Sequence, residues 1–525
     1  MTVLVDDPYS EVNWNEVDYL HSMSHQHTYR REDIRAQLYD MGFRHFPITE
    51  YYPSEPTYPL TGDLVAHGDA IGAPNAEHHA FTDAYGHYNT LGSFYTTGYG
   101  KTLRVGAEEG LFTHSFEDLA VFDAEAANPG EGVYRLDLRF EPVTGTAGEP
   151  SVTLSIEGAE ECDRKTFERV GDGRIQERTL GEKFSGNLFI RVVELPVKLT
   201  VEREPETTQI SQLRLMQGAN LPWRRGFTEA LDGDRRDADG NRIEGLLYPE
   251  GGGITINHPW APAIDGYLEM LDFDDRVLGV EVWNHRRWFG LESDEPHTRY
   301  YEHWDAILRT GRRCLGFFVK DHRQFGRGRN ILLVNPLENL SGEEREREAL
   351  RAYREGRFFG VLGATNVDEE GRPVNPYDHT DFRFTRIEIE YTDAGDPSAV
   401  YVAVAGHDKP LRPNLQLRFV TDRGLAEVVD NRAEATYALP RTSEGDSGPL
   451  YVRVEALAYP DTHKSGQPLD GEILKGMNVY EISRLHDWLG DADWNDVDEA
   501  GHEPIPIVDM LFSQPIRFIR ERPPE

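Results

Sequence analysis

Two histidines stand one residue apart at His25 and His27, inside the stretch 20–28 (LHSMSHQHT), with His21 just before them. If the segment is extended, alternation puts His25 and His27 on one face, where two neutral imidazoles can share one metal ion. The chain holds nineteen histidines, so the pair gains meaning only if partners exist elsewhere. Residues 74–93 (PNAEHHAFTDAYGHYNTLGS) carry Glu77, His78, His79, Asp83 and His87, the densest group of ligand-type side chains in the chain. Further on, Asn257-His258-Pro259 follows GGGITI, Glu281 lies in VLGVEVWN, and Lys320-Asp321-His322 follows LGFFV. Imidazole and carboxylate together suit first-row divalent metals such as Mn, Zn or Fe.

The elements that would position these groups read as strands with polar tips. Residues 31–41 (REDIRAQLYDM) have helical spacing of Ile34, Leu38 and Met41, Gly42 ends the helix, and residues 43–49 read as the next strand. That β, α, β opening predicts a parallel arrangement whose site gathers at strand carboxyl ends, where Thr49-Glu50-Tyr51 would sit. Residues 52–60, rich in Pro and Tyr, read as a closing loop. Residues 277–284 and 315–319 read as apolar strands, residues 303–313 as a helix between them, and residues 342–357 as a charged amphipathic helix with a solvated face. Residues 121–215 alternate in short strands and read as an all-β insertion without chemistry of its own. From residue 382 onward strands dominate again and predict a C-terminal β-sandwich. The acidic stretch 487–498 lacks the ordered spacing of a calcium loop and reads as solvated. The expected domains are therefore 1–110 and 221–375 as two parts of one α/β unit, 111–220 as the all-β insertion, and 376–525 as the sandwich.

At 525 residues the chain is long enough for several cores, and 38% hydrophobic residues argue for folded ones. The formal charge of −37 disfavours nucleic acid or an anionic membrane as the main partner. Only eight of the 55 basic residues are lysine, and a Lys-poor acidic surface suits a protein working in concentrated salt, where screening removes self-repulsion. Two cysteines, Cys162 and Cys314, cannot build a disulfide framework or a thiolate zinc site. With no apolar leader or membrane-length run in sight, a cytoplasmic location is the expectation.

In this order, the motifs resemble the polymerase and histidinol phosphatase (PHP) superfamily of metal-dependent phosphoesterases. His25-Gln26-His27 matches its first motif, Glu77 and His87 its second, Asn257-His258-Pro259 its third, and Asp321-His322 its last; the stretches around Glu281, at 304–313 (WDAILRTGRR) and at 349–360 (ALRAYREGRFFG) also fit. The likeness spans roughly residues 15–105 and 245–365. It implies a distorted (β/α)7 barrel with the all-β insertion and C-terminal sandwich attached, and a metal cluster at the strand ends. Two positions depart from the family pattern. Tyr51 stands where a histidine ligand is usual, and Lys320 stands where the last motif's Asp would align on His322. The implied centre thus holds one or two metals rather than three.

The resemblance implies that His25 and His27 hold the first metal, Glu77 bridges to a second, and His87 and His258 complete it. Asp321 or His322 would finish the first position or orient the nucleophile, and Lys320 would clamp the substrate. Phosphate esters resist attack because their oxygens are negative and the leaving alkoxide is poor, and divalent cations relieve both obstacles and acidify water. The expected activity is therefore hydrolysis of a small-molecule or polymer phosphoester. Two alternatives stand beside it: metal-dependent hydrolysis of a non-phosphate bond, and a degenerate barrel that binds a ligand such as a glycan without turnover, its aromatic loops offering stacking surfaces.

Overall fold

The computed structural model describes residues 3–27, 32–40, 42–51, 57–78, 87–95, 100–126, 129–146, 148–164, 166–175, 178–181, 186–217, 223–236, 240–259, 263–284, 298–319, 321, 328–362, 382–407, 413–440, 448–461, 468–477, 479–483 and 508–520. Of these, 45% lie in strands and 16% in helices. The expected (β/α)7 barrel is not what the chain builds. A parallel barrel needs a crossover, most often a helix, between each pair of neighbouring strands. Here Ala76–His78 and His87–Leu91 are separated only by residues 79–86, too few for a crossover, and they pair antiparallel. Antiparallel pairing also joins His87–Leu91 to Gly253–Asn257, Asp18–Ser22 to Gly328–Val334, and Gly328–Val334 to Phe358–Leu362.

The result is several sheets. A six-stranded sheet runs in the order Leu315–Val319, Val277–Asn284, Gly253–Asn257, His87–Leu91, Ala76–His78, Glu50–Tyr51. Its first three strands are parallel and buried along their whole length, as continuous apolar runs such as LGFFV demand when both faces are covered. The helix Thr298–Leu308 packs against the strand Val277–Asn284, with Trp304, Ile307 and Leu308 in the core beside Val280 and Val282.

An eleven-stranded sheet contains Asp18–Ser22, His45–Phe46 and Ile71–Gly72 at one end. Beyond Phe358–Leu362 it continues directly into Asp509–Ser513, Tyr451–Tyr459, Ile516–Arg520 and Val3–Asp6. This corrects the expected C-terminal β-sandwich, because its long strands are annexed by a sheet shared with the N-terminal half. The three-stranded sheet Arg383–Tyr391, Pro397–Ala405, Glu434–Ala438 then packs on that face, burying Ile387, Val400 and Val402 with Leu417, Phe419 and Phe359. The strand Phe358–Leu362 offers hydrogen bonds on both edges, so the chain's last strands have a partner ready without forming a body of their own.

The alternating strands of the middle region form two antiparallel sheets around their own core of Leu136, Leu138, Val152, Leu154, Leu199, Leu213 and Leu215. The first of these sheets also takes in Gly100–Thr102. Among the described residues no helix is long and apolar enough to cross a membrane.

The helix expected at 31–41 spans Glu32–Asp40 and ends at Gly42, whose φ of 96° is left-handed. The charged helix Gly342–Glu355 begins with a capping box between Ser341 and Glu344 and ends on the left-handed Gly356. Its inner face brings Ala349, Leu350 and Tyr353 against Leu332 and Phe358.

Candidate metal centre

The chain beyond Asp18–Ser22 runs through His25 and His27 between two other segments. Gln26 forms a parallel bridge to Asp321, the His27 amide donates to the Asp321 carbonyl at 3.0 Å, and the Asp321 amide donates to the His25 carbonyl at 3.1 Å. On the other side the Thr49 amide donates to the Gln26 carbonyl at 3.1 Å. Glu77 sits on the short strand Ala76–His78. Register pairs Asn257 with His87, so the start of one strand and the end of its antiparallel neighbour bring His87 and His258 to the same edge. That edge is also where the parallel strands Val277–Asn284 and Leu315–Val319 end, delivering Asn284 and Asp321.

Six residues from these segments form two groups that share Glu77. In the first, ligand atoms of His25, His27, Glu77 and Asp321 all lie within 4.8 Å of one another; in the second, those of Glu77, His87 and His258 do. The His25 and His27 Nε2 atoms are 3.1 Å apart, and Asp321 Oδ1 is 3.4 Å from each. Glu77 turns Oε2 to the first group, 3.0 Å from His27 Nε2, and Oε1 to the second, 3.1 Å from both His87 Nδ1 and His258 Nε2. Every carboxylate here is almost fully buried, while His87 is the more accessible member, its side chain 17% exposed.

The far sides of the first two rings explain what lies between them. His25 Nδ1 donates to Glu281 Oε1 at 2.6 Å, and His27 Nδ1 donates to the Thr49 carbonyl at 3.1 Å. With each Nδ1 proton committed, both Nε2 lone pairs face one another, which is stable only with a cation between or beside them. In the chain alone a proton on His25 fills that need. Burial opposes a charged ring, but the carboxylates of Asp321, Glu77 and Glu281 together hold the His25 pKa well above its ordinary value. The reverse holds for the acids. Burial pushes Glu77 and Asp321 up, yet the His25 charge, reinforced at Glu77 by hydrogen bonds from His25 and His258, keeps both below the usual carboxylate range. Two imidazoles and two carboxylates in one pocket, and two imidazoles with the shared carboxylate in the next, fit one or two divalent ions better than any neutral ligand.

Two of the ligand-type residues hold unusual backbone: His258 has φ 24° and Asp321 φ 53°. Positive φ is uncommon outside glycine and carries a backbone cost, although Asp and His adopt it more readily than most residues, and such strain gathers at functional sites. Asn257 Nδ2 donates to Glu77 Oε1 at 3.2 Å and to Asn89 Oδ1 at 2.8 Å, fixing the bridging carboxylate from behind.

Of the residues singled out from sequence, His25, His27, Glu77, His87, His258 and Asp321 are thus brought together. Lys320, His322, His79 and Asp83 lie outside the described residues, as does the acidic stretch 487–498. His21 is elsewhere, buried edge-on against Phe43, and His78 is stacked between Tyr88 and Tyr95. Glu50, beside the departure at Tyr51, is buried and accepts a hydrogen bond from Thr57; burial raises its pKa. The sequence reading gave no role to Glu281, Asn284 or the Thr49 carbonyl. Glu281 in GVEVWN carried the one available signal, a charged residue inside an otherwise apolar strand, which burial tolerates only with partners. No family model, curated protein or solved structure matches the chain.

Proposed function

We propose that this chain is a metal-dependent hydrolase, a phosphoesterase in the first instance, working with one or two divalent ions. The observation that carries the reading is the meeting of His25, His27, Glu77, His87, His258 and Asp321 from five separate segments, with two imidazole Nε2 atoms facing each other at 3.1 Å. His25, His27, Glu77 and Asp321 would hold one ion, and Glu77, His87 and His258 the other. Bound there, the ions would supply Lewis acidity toward a phosphoryl oxygen and lower the pKa of water. The chain's own contribution is orientation. Glu281 and the Thr49 carbonyl fix the two rings, Asn257 fixes Glu77, and burial keeps bulk water from the carboxylates. The more exposed His87 marks the side from which substrate would enter. The phosphoester preference rests on the ordered motifs that resemble PHP enzymes; the ligand set alone serves amide or other ester hydrolysis equally.

The test is turnover of an aryl phosphate by protein expressed with Mn, Zn or Fe, with His25→Ala as control. Metal-dependent hydrolysis lost in His25→Ala supports the reading. Bound metal without hydrolysis of phosphate, amide or carboxylic esters would leave a binding protein, and absence of bound metal would remove the proposal altogether.

A further inference from the structure

Glu281 touches both halves of the site at once. It lies in the wholly buried strand Val277–Asn284 and is itself 0% exposed. Its Oε1 accepts from His25 Nδ1 at 2.6 Å. Its Oε2 accepts from the His258 backbone amide at 2.6 Å and from Asn284 Nδ2 at 2.8 Å, and the same Asn284 amide group also reaches Asp321 Oδ2 at 3.3 Å. One carboxylate therefore holds a ring of the first group, the backbone of a ligand in the second, and, through Asn284, a second ligand of the first.

We propose that Glu281 is the positioning residue that makes the two ion positions interdependent, setting the His25 tautomer and the strained His258 backbone with its two oxygens. This rests on the metal-centre reading above. The demand is specific to a carboxylate, because all three partners are donors and both oxygens must accept. In Glu281→Gln one of the two places becomes an NH2 group. If the amide oxygen keeps the two donors at Oε2, the NH2 group faces His25 Nδ1, which must then accept, moving the ring's proton to Nε2 and removing its lone pair from the first position. If the amide turns over, the NH2 group confronts the His258 N–H and Asn284. Either way one position is damaged directly and the other through the shared carboxylate Glu77.

The experiment is metal titration of wild type, Glu281→Gln and Glu281→Asp, together with the amide resonance of His258 in metal-free protein. Loss of an outer-shell partner weakens metal binding by roughly 10–100-fold. Glu281→Gln is expected to weaken the tighter ion by that factor and to change the apparent stoichiometry or cooperativity of the second. Glu281→Asp keeps the charge, and with a shortened reach should recover part of the affinity. The His258 amide, 2.6 Å from a carboxylate in wild type, should lie far downfield and move upfield in Glu281→Gln. Unchanged metal affinity and an unmoved amide in Glu281→Gln would overturn the proposal. If wild type binds no metal, the metal reading fails, while the amide shift still decides whether Glu281 holds His258.

Discussion

The substitution Asp321→Asn separates the chain's own electrostatics from metal binding. Asparagine tolerates the left-handed backbone that Asp321 adopts at φ 53°, and it keeps the side chain's shape, so the change removes mainly a charge. In the metal-free chain two effects oppose. Asp321 Oδ1 is 3.4 Å from His25 Nε2, an attraction to the charged ring of about 5 kcal/mol at an effective dielectric of about 20. Its repulsion from Glu77, whose ligand atom is within 4.8 Å, is at least about 3.5 kcal/mol on the same basis. The metal-free variant should therefore be at most about 1.5 kcal/mol less stable than wild type. The loaded protein should behave otherwise. An ion present at about 1,000 times its dissociation constant adds about 4.1 kcal/mol to stability, and a 100-fold loss of affinity cuts that to about 1.4 kcal/mol. Thermal unfolding with and without Mn, in both proteins at neutral pH, reads both quantities. An equal metal-dependent rise in Tm for wild type and variant would refute the assignment of Asp321, and a metal-free variant more stable than wild type by several kcal/mol would refute the charge balance.

Buried His45 gives a pH test away from the ligands. Burial lowers its pKa to about 3, and its Nδ1 meets Ser22 Oγ at 2.7 Å. Because the folded pKa lies below the unfolded value of about 6.5, no cost applies above that pH, and stability is lost as pH falls from about 6.5 toward 3, by about 2 kcal/mol at pH 5. His45→Gln should flatten that acid slope in urea titrations at pH 7 and pH 5; identical slopes would contradict it. Arg453, fully buried, bonds Glu455 Oε1 at 2.6 Å and Asp305 Oδ1 at 2.8 Å and ties the helix Thr298–Leu308 to the strand Tyr451–Tyr459. Arg453→Met removes the cation both acids share, leaving Glu455 with Arg418 and Tyr301 and Asp305 with Tyr451, so a loss of about 3 kcal/mol is expected in equilibrium unfolding, with a loss under about 1 kcal/mol counting against a structural tie. With a net charge of −37, transfer to low salt should lower Tm by self-repulsion beyond the Debye length, and a Tm indifferent to salt would end the high-salt reading.

The ligand-type residues were legible because His, Glu and Asp at the ends of apolar runs are conspicuous, and the strands Val277–Asn284 and Leu315–Val319 coincide with apolar runs whose length suits a buried strand. Their pairing was not. Nothing local in His87–Leu91 says that it runs antiparallel to both neighbours, since that follows from a connection too short for a crossover and from competition among strands for edges. The C-terminal strands misled for the same reason: alternation in LYVRVEAL marks a strand but does not reveal that its sheet is shared with residues 3–6 and 358–362. Glu281 stood out as a polar group near the end of an apolar strand, but its positioning role was not legible because its three donors come from residues 25, 258 and 284, two of them distant in sequence. The shift from Lys320 to Asp321 at the last motif became intelligible only through the backbone bridge between Gln26 and Asp321, which turns Asp321 toward both histidines.

The most direct measurement is a crystal structure of protein expressed with Mn or Zn, with anomalous data collected at the metal edge. One or two anomalous peaks are expected, one among His25, His27, Glu77 and Asp321 and, where two are present, the other among Glu77, His87 and His258. Data showing the same side-chain arrangement around water alone, from protein with no metal by elemental analysis, would contradict this expectation.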